Sequence, residues 1–277
     1  MDKQRLDLLL VERQLCESRA VAQRLIRAGE VKVNQRVLDK PGTEVARNAR
    51  LELVQKPPFV SRGGEKLAKA LRQFSISVEG RVCLDGGIST GGFTDCLLQA
   101  GAALVYGVDV GYGQVAWKLR QDPRVILWER ANFRHLTPSQ LYGDQPPADL
   151  GVMDLSFISL TKVMDSLWSL LQSPREVILL VKPQFEVGKS KVGKKGVVRS
   201  SLDQAGAIQS VLVAAQGQGW GYQGLTHSPI TGPAGNVEYL LWLSEAETQE
   251  VPSLKTLEIY TEEAIASFQS PIATQPS

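Results

Sequence analysis

Apolar positions recur at helical spacing in two short stretches near the start of the chain. Leu6, Leu9 and Leu10 fall between Arg5 and Gln14, and Val21, Leu25 and Ile26 lie between a capping residue, Ser18, and a stop, Gly29. The period then shortens: Val31 and Val33 flank Lys32, Asn34-Gln35 supplies a turn, and Leu51 and Leu53 alternate beyond Pro41-Gly42. Two helices followed by short strands are therefore predicted over residues 1–56, a size near the lower limit for independent folding. Residues 57–60, opening on Pro57-Pro58 behind Lys56, read as a stiff linker.

Beyond the linker, near-continuous apolar runs alternate with helical patterns: Arg81–Asp85, Leu104–Asp109, Val125–Trp128, Leu150–Asp154 and Val177–Val181. Runs apolar on both faces and separated by helices predict a parallel sheet covered on both sides. Tyr222–Pro229 and Val237–Leu243 follow one another through Thr231-Gly-Pro-Ala-Gly235 with no helical pattern between them, which predicts an antiparallel closing pair. The fold class is α/β, with a doubly wound sheet over 61–245 behind a small α+β domain. After Glu245 the chain turns polar, so 246–277 is expected to be a tail, partly disordered or carrying one short helix around Leu257–Phe268.

Composition narrows the chemistry. With 43% hydrophobic and 22% charged residues the chain belongs with ordinary globular proteins. Met1–Leu10 carries charges where a secretory segment would be apolar, and no window reaches a membrane span, so the cytosol is the expected compartment and a monomer the default. Cys16, Cys83 and Cys96 stand at no metal-ligand spacing, and His135 and His227 are too few for a histidine metal centre or a Ser/His/Asp triad, so no metal is expected. Charge is asymmetric: residues 1–56 hold 12 basic and 8 acidic side chains, whereas 246–277 hold 1 and 5.

The strand Val82–Asp85 runs through Gly86-Gly-Ile-Ser-Thr-Gly-Gly92 into the helical Phe93–Leu98, the strand–glycine turn–helix arrangement at which doubly wound sheets bind ligands. Four glycines in that stretch let backbone approach a ligand closely. Asp109, ending the next strand, suits the two hydroxyls of a ribose, while the G-x-G-x-x-G spacing of a dinucleotide site is missing. A tight turn with no ligand and a solvated strand end are the plain alternatives. Four charged residues take sheet-top positions: Lys66, Asp154, Lys182 and Glu238. Charges are seldom buried unpaired, so Asp154 and Lys182, ending neighbouring strand–helix units, are expected to face each other. A structural ion pair accounts for two of the four and leaves Lys66 and Glu238 converging on the same crevice.

Taken together, these residues resemble the TlyA family, ribosomal RNA 2′-O-methyltransferases that join an S4-type RNA-binding domain to an FtsJ-like catalytic domain. Arg5-Leu-Asp-Leu-Leu-Leu10, Ser18-Arg19, Ala28-Gly-Glu-Val-Lys-Val-Asn34 and Lys40-Pro-Gly42 look like the S4 pattern, and Lys66, Asp154, Lys182 and Glu238 fall on the family's Lys-Asp-Lys-Glu tetrad. The resemblance implies S-adenosylmethionine (SAM) as cofactor, a Rossmann-like SAM-dependent methyltransferase sheet, and ribosomal RNA as partner, with cytidine the modified nucleotide. It places Asp85, Gly87, Ser89, Thr90, Gly91, Gly92, Phe93, Asp109 and Asn132 around the cofactor, with Asn132 near the adenine. Lys182 is then the expected general base; nearby Lys66 favours its neutral form, which the carboxylates oppose. Two residues depart from the family pattern: Gly86, expected to loosen the strand end, and Ile88, expected to add bulk beside the cofactor.

RNA contact is expected from Arg5, Arg19, Arg24, Arg27, Lys32 and Arg36 in the first domain and from Arg62 and Lys189 in the second. Lys189 opens a basic, glycine-rich stretch with Lys191, Lys194 and Lys195 that reads either as a mobile loop closing over RNA or as a solvated loop. The family has also been called haemolysin, so a membrane-active protein is one rival reading, and an RNA-binding protein without catalysis is another.

Overall fold

The computed structural model describes residues 2–54, 57–246 and 249–269; Lys56 and the tail beyond residue 269 lie outside these. The chain divides into two compact units, Met1–Pro58 and Phe59–Ser277.

In the first unit, strand β1 (Lys3–Arg5) runs into helix α1 (Leu6–Glu12), and α2 (Arg19–Arg27) follows, capped by the Ser18 hydroxyl, which accepts the Val21 N–H at 3.3 Å. Strands β2 (Val31–Val33), β3 (Arg36–Val37), β4 (Glu44–Ala46) and β5 (Leu51–Leu53) complete it. Antiparallel β3-β2-β5 form one sheet and β1-β4 a second. Asn34 and Gln35 both take positive φ (48° and 69°), the hand that a two-residue hairpin turn needs. Leu6, Leu9, Leu10, Ala22 and Ile26 bury against Val31, Val33 and Val45 to make a single small core. The pair β1-β4 was invisible to periodicity because β1 is Lys3-Gln-Arg5, with no apolar position to alternate.

The second unit begins with α3 (Gly63–Phe74) and continues through β6 (Val82–Gly86), α4 (Gly92–Gln99), β7 (Leu104–Val108), α5 (Trp117–Arg120), β8 (Val125–Trp128), α6 (Pro138–Tyr142), β9 (Leu150–Met153), α7 (Met164–Leu170) and β10 (Glu176–Val181). Then come α8 (Pro183–Glu186), α9 (Ser201–Gly217), β11 (Gly221–His227), β12 (Tyr239–Ser244) and α10 (Leu254–Gln269). The sheet order is β11-β12-β10-β9-β6-β7-β8, and only β12 runs against its neighbours. Successive residues of one strand feed opposite faces: Leu84 and Leu179 pack into one core, Cys83, Ile178 and Leu180 into the other. That division is why the strands read as unbroken apolar runs. The chain moves outward from β6 to β8 and returns to β9, so strand order reverses between β6 and β9 and a crevice opens at their carboxyl ends.

The polar tail contains a helix longer than expected. The 16-residue α10 buries Leu257, Thr261 and Ala264 and packs on α9, and the Thr261 hydroxyl donates to the Ser201 carbonyl at 2.9 Å. Its buried stripe includes a threonine, which breaks the apolar signal.

Candidate active site

Around the crevice the glycine loop is shaped by what a Cβ would strike. Gly87 (φ +83°) would place one 2.7 Å from the Asp154 carbonyl oxygen, and at Gly92 one would lie 2.2 Å from the Ser61 hydroxyl and 2.9 Å from the Gly64 nitrogen. Beneath the loop, Asp85 is fully buried at the end of β6. Its Oδ2 accepts the Thr94 hydroxyl at 2.6 Å, while Oδ1 has no hydrogen-bond partner. Burial, added to by the charge of Asp154, raises the Asp85 carboxyl to about 7. Asp109, one strand over, accepts the Ser89 N–H at 2.8 Å through Oδ2 and the Gly111 N–H at 2.7 Å through Oδ1, so it fixes the loop while remaining half-buried at the crevice.

Two connected hollows follow. The larger, about 450 Å³, is lined by Asp109, Gln114, Asn132, Phe133 and Ile158, and the smaller, about 210 Å³, by Arg62, Lys66, Thr90, Phe93 and Thr231; Gly87, Ser89 and Asp154 line both. Of the residues the sequence assigned to a cofactor, Gly87, Ser89, Asp109 and Asn132 border the larger hollow and Thr90, Gly92 and Phe93 the smaller, whereas Asp85 and Gly91 line neither. Ile88 lines the smaller hollow at 3% exposure, and its Cδ1 lies 2.4 Å from where a Gly107 Cβ would sit, so most of its bulk is in the core. The expected effect of Gly86 is corrected. Gly86 is paired with both Val108 and Met153, and a Cβ on it would strike the Met153 thioether; the strand end is filled, not loosened.

The four charged residues form two ion pairs. Lys66, on α3, donates from Nζ to Glu238 Oε2 at 2.6 Å, with both side chains buried. Lys182 donates to Asp154 Oδ1 at 2.6 Å and to the Ser156 hydroxyl at 2.9 Å. Lys66 and Asp154 line the smaller hollow. Three residues of this region lie in stretches the sequence reading noted but were assigned no role. Ser156 is the second acceptor of Lys182. Glu186 accepts the Ser159 hydroxyl at 2.5 Å and the Leu160 N–H at 2.9 Å, and burial raises its pKa. Buried Asn236, two residues before Glu238, accepts the Val198 N–H at 2.9 Å and donates to the Gly196 carbonyl at 2.8 Å. In the basic stretch behind Lys189, Lys191 is paired to Asp203 at 2.7 Å. Single polar residues in loops carry no periodic signal, which is why none of the three was singled out.

The basic residues of the first unit fall into two kinds. Arg5 and Arg19 are held by Asp7, a fully buried carboxylate: Arg5 donates through Nε and Nη2 at 3.0 and 2.9 Å, Arg19 through Nε at 2.9 Å, and Gln23 adds a further bond at 2.8 Å. The Arg5 guanidinium, foremost among these partners, pulls the Asp7 carboxyl well below the usual carboxylate range. Arg24, Arg27 and Arg36 are exposed and Lys32 half-buried, and none of the four makes an ion pair among the described residues. In the second unit Arg62 and Lys189 are exposed. Among the described residues no three His, Cys, Asp or Glu side chains gather as a metal site, and no helix is long and apolar enough to cross a membrane.

Comparison with known proteins agrees with this architecture. Residues 59–245 match the family described as FtsJ-like methyltransferase, and residues 4–51 match the S4 domain. The chain is 47% identical over 264 residues to the 16S/23S rRNA (cytidine-2′-O)-methyltransferase TlyA of Mycobacterium tuberculosis, covering 95% of this chain and 97% of that one. It is 40% identical to Hemolysin A of Brachyspira hyodysenteriae over 81% of this chain and 92% of the relative. A solved structure described as "Putative hemolysin from Streptococcus thermophilus" superposes with a TM-score of 0.73 at 39% identity, covering 97% of this chain and 98% of that one. An S4 unit of two helices and short strands, a seven-stranded sheet with one reversed strand, and these matches across both units lead to one assignment: the chain belongs to the FtsJ-like methyltransferase family, in the S4-bearing TlyA branch.

Proposed function

We propose that this protein methylates a ribose 2′-hydroxyl of ribosomal RNA, at a cytidine, with SAM as the methyl donor. The observation that carries the reading is the arrangement of Lys182, whose amine is met by Asp154 and Ser156 at the edge of the glycine-loop crevice. The substrate class is taken from the printed activity of the TlyA relative.

The residues present suit the cofactor. Asp85 Oδ1, buried beneath the glycine loop, has no hydrogen-bond partner among the described residues, and Gly87 and Gly92 let that loop close on Asp154, Ser61 and Gly64 where a Cβ would clash, which holds the shape of the cradle. Asp109 would take the ribose hydroxyls, Asn132 would lie by the adenine, and Ser89, Thr90, Gly91 and Phe93 would complete the cradle. When bound, SAM supplies an electrophilic methyl group on a sulfonium. A ribose hydroxyl is a poor nucleophile until a base takes its proton. As a neutral amine Lys182 would spend its two N–H bonds on Asp154 and Ser156, leaving the lone pair to accept that proton. Lys66, fixed by Glu238, places a second cation at the smaller hollow, where it would orient the incoming nucleotide. Arg5, Arg19, Arg24, Arg27, Lys32, Arg36, Arg62 and Lys189 would meet RNA phosphates.

The test is to map 2′-O-methyl groups on ribosomal RNA from a strain lacking this protein, before and after the purified chain and SAM are added. A new 2′-O-methylcytidine is expected, and Lys182→Ala should lower its rate of formation by about 10²-fold or more. An unchanged map would defeat the proposal, and Lys182→Ala turning over at the wild-type rate would remove Lys182 from the base role.

A further inference from the structure

The loop after β9 and the turn after β10 are fastened together twice. At one end Lys182, the residue that opens α8, holds Asp154 and Ser156. At the other, Glu186, the last residue of α8, takes the Ser159 hydroxyl through Oε2 and the Leu160 N–H through Oε1. Between the two fastenings sits Phe157 with φ +66°, a left-handed conformation that a bulky L-residue rarely adopts. That side chain is 91% exposed, and its ring lies 5.3 Å from the ring of Phe185.

A strained residue persists only where its surroundings hold it. Phe157 is exposed, so packing around its side chain supplies little of that hold, and the bonds at either end of the loop must supply it. Glu186 provides one end without touching the crevice: it lines neither hollow. Its partners are a backbone N–H and a hydroxyl, and the backbone bond fixes the position of the chain itself. If that end is released, residues 155–158 can relax out of the left-handed turn, and Ser156 then leaves the Lys182 amine.

We propose that Glu186 is a positioning residue of the methyl-transfer centre: by anchoring Ser159 and Leu160 it fixes Asp154 and Ser156 as the two acceptors of Lys182. This rests on the reading of Lys182 as the base. Glu186 acts through geometry and not through charge. A glutamine in its place can still accept the Leu160 N–H through Oε1 and donate Nε2 to the Ser159 oxygen, whereas a leucine can do neither. Misplacement of a catalytic group by about 1 Å costs on the order of 10²-fold in rate.

The experiment compares full-length wild type, E186Q and E186L in methylation of ribosomal subunits taken from a strain lacking this protein, together with crystal structures of both variants. Expected are an E186Q rate within about threefold of wild type and an E186L kcat lower by tenfold or more, with KM for SAM and for subunits each within about threefold. The E186L crystal structure should show the Lys182–Ser156 contact broken. Should E186L not fold, S159A removes one of the two bonds, and a kcat loss of about threefold is expected. Equal losses in E186Q and E186L, a loss confined to KM, an unaltered kcat in E186L or S159A, or an E186L structure that keeps Ser156 on Lys182 would each overturn the proposal. The crystallographic arm decides the role of Glu186 even if wild type leaves ribosomal RNA unmodified, a result that would fall on the proposed function instead.

Discussion

Asp7 and Asp85 are the same residue type, equally shut away from solvent, and electrostatic opposites. Asp7 faces two guanidiniums and an amide, which drive its carboxyl well below the usual range. Asp85 has only the hydroxyl and backbone N–H of Thr94 against two nearby carboxylates, and burial lifts it to about 7. A buried charge must be paired, and the first is paired in excess. The second is left short. Asp7 therefore acts on its own neighbours, fixing two arginines that stay half exposed, while Asp85 leaves one oxygen without a partner beneath the glycine loop. The two carboxylates mark the difference between a buried group that its neighbours satisfy and one that they leave short.

The largest expected effect is a difference in sign with pH. The Asp85 carboxyl, raised above its unfolded value near 3.9, favours the fold while protonated. That contribution is intact below about pH 4 and is lost as pH rises to about 7. A shift of roughly three pH units corresponds to about 4 kcal/mol at most. The stability of Asp85→Asn relative to wild type should thus climb between pH 4 and 8, as read by denaturant unfolding of the second unit. A flat difference would mean that the Asp85 carboxylate is compensated in ways the geometry does not show. SAM should narrow the gap, since a donor to Oδ1 favours the ionised form; a cofactor affinity about tenfold weaker in Asp85→Asn is the companion result.

Asp7→Asn should behave in the opposite direction. A depressed carboxyl stabilises the fold above its unfolded value and loses that contribution as pH falls below about 4. At neutral pH the substitution should cost the first unit about 2–3 kcal/mol, less than for fully buried pairs because Arg5 and Arg19 are roughly half exposed. Hydrogen exchange resolved to residues 2–54 would measure it. A variant as stable as wild type at pH 7 would show that solvent alone satisfies both arginines.

What the sequence disclosed follows the same division. Periodicity found the sheet because both of its faces are buried, so Leu84 beside Cys83 and Leu179 beside Leu180 leave unbroken apolar runs. Val82–Asp85 and the glycine loop were likewise legible, since strand, turn and helix are contiguous. Three of the four charged crevice residues were visible as charges interrupting apolar strands, and the expected facing of Asp154 and Lys182 is present at 2.6 Å, but the pairing of Lys66 with Glu238 links positions 172 residues apart. Asp7 looked like one acidic residue in an amphipathic helix; its role depends on Arg19 and Gln23 arriving from α2 and on β1 delivering Arg5. Ser156 meets Lys182 through side chains, and Glu186 and Asn236 reach backbone groups across loops; no local pattern encodes such contacts.

The smallest effect separates charge from direction within the first unit. Arg24 is exposed and unpaired among the described residues, so as a phosphate contact it offers mainly its charge. Arg24→Ala should weaken RNA binding alike for all sequences and reduce the salt slope, the fall of log K with log salt, by about one. Arg19 is different because its Nε is taken by Asp7, which aims the remaining nitrogens outward. Arg19→Lys keeps the charge, and the slope should hold, but a lysine has a single point of attachment and cannot bond Asp7 and a phosphate in that fixed fork. Affinity should fall by a few-fold at every salt concentration, the two binding lines running parallel. If Arg19→Lys instead lowered the slope as Arg24→Ala does, the two arginines would be equivalent counter-charges, and the buried Asp7 would serve the stability of the module alone.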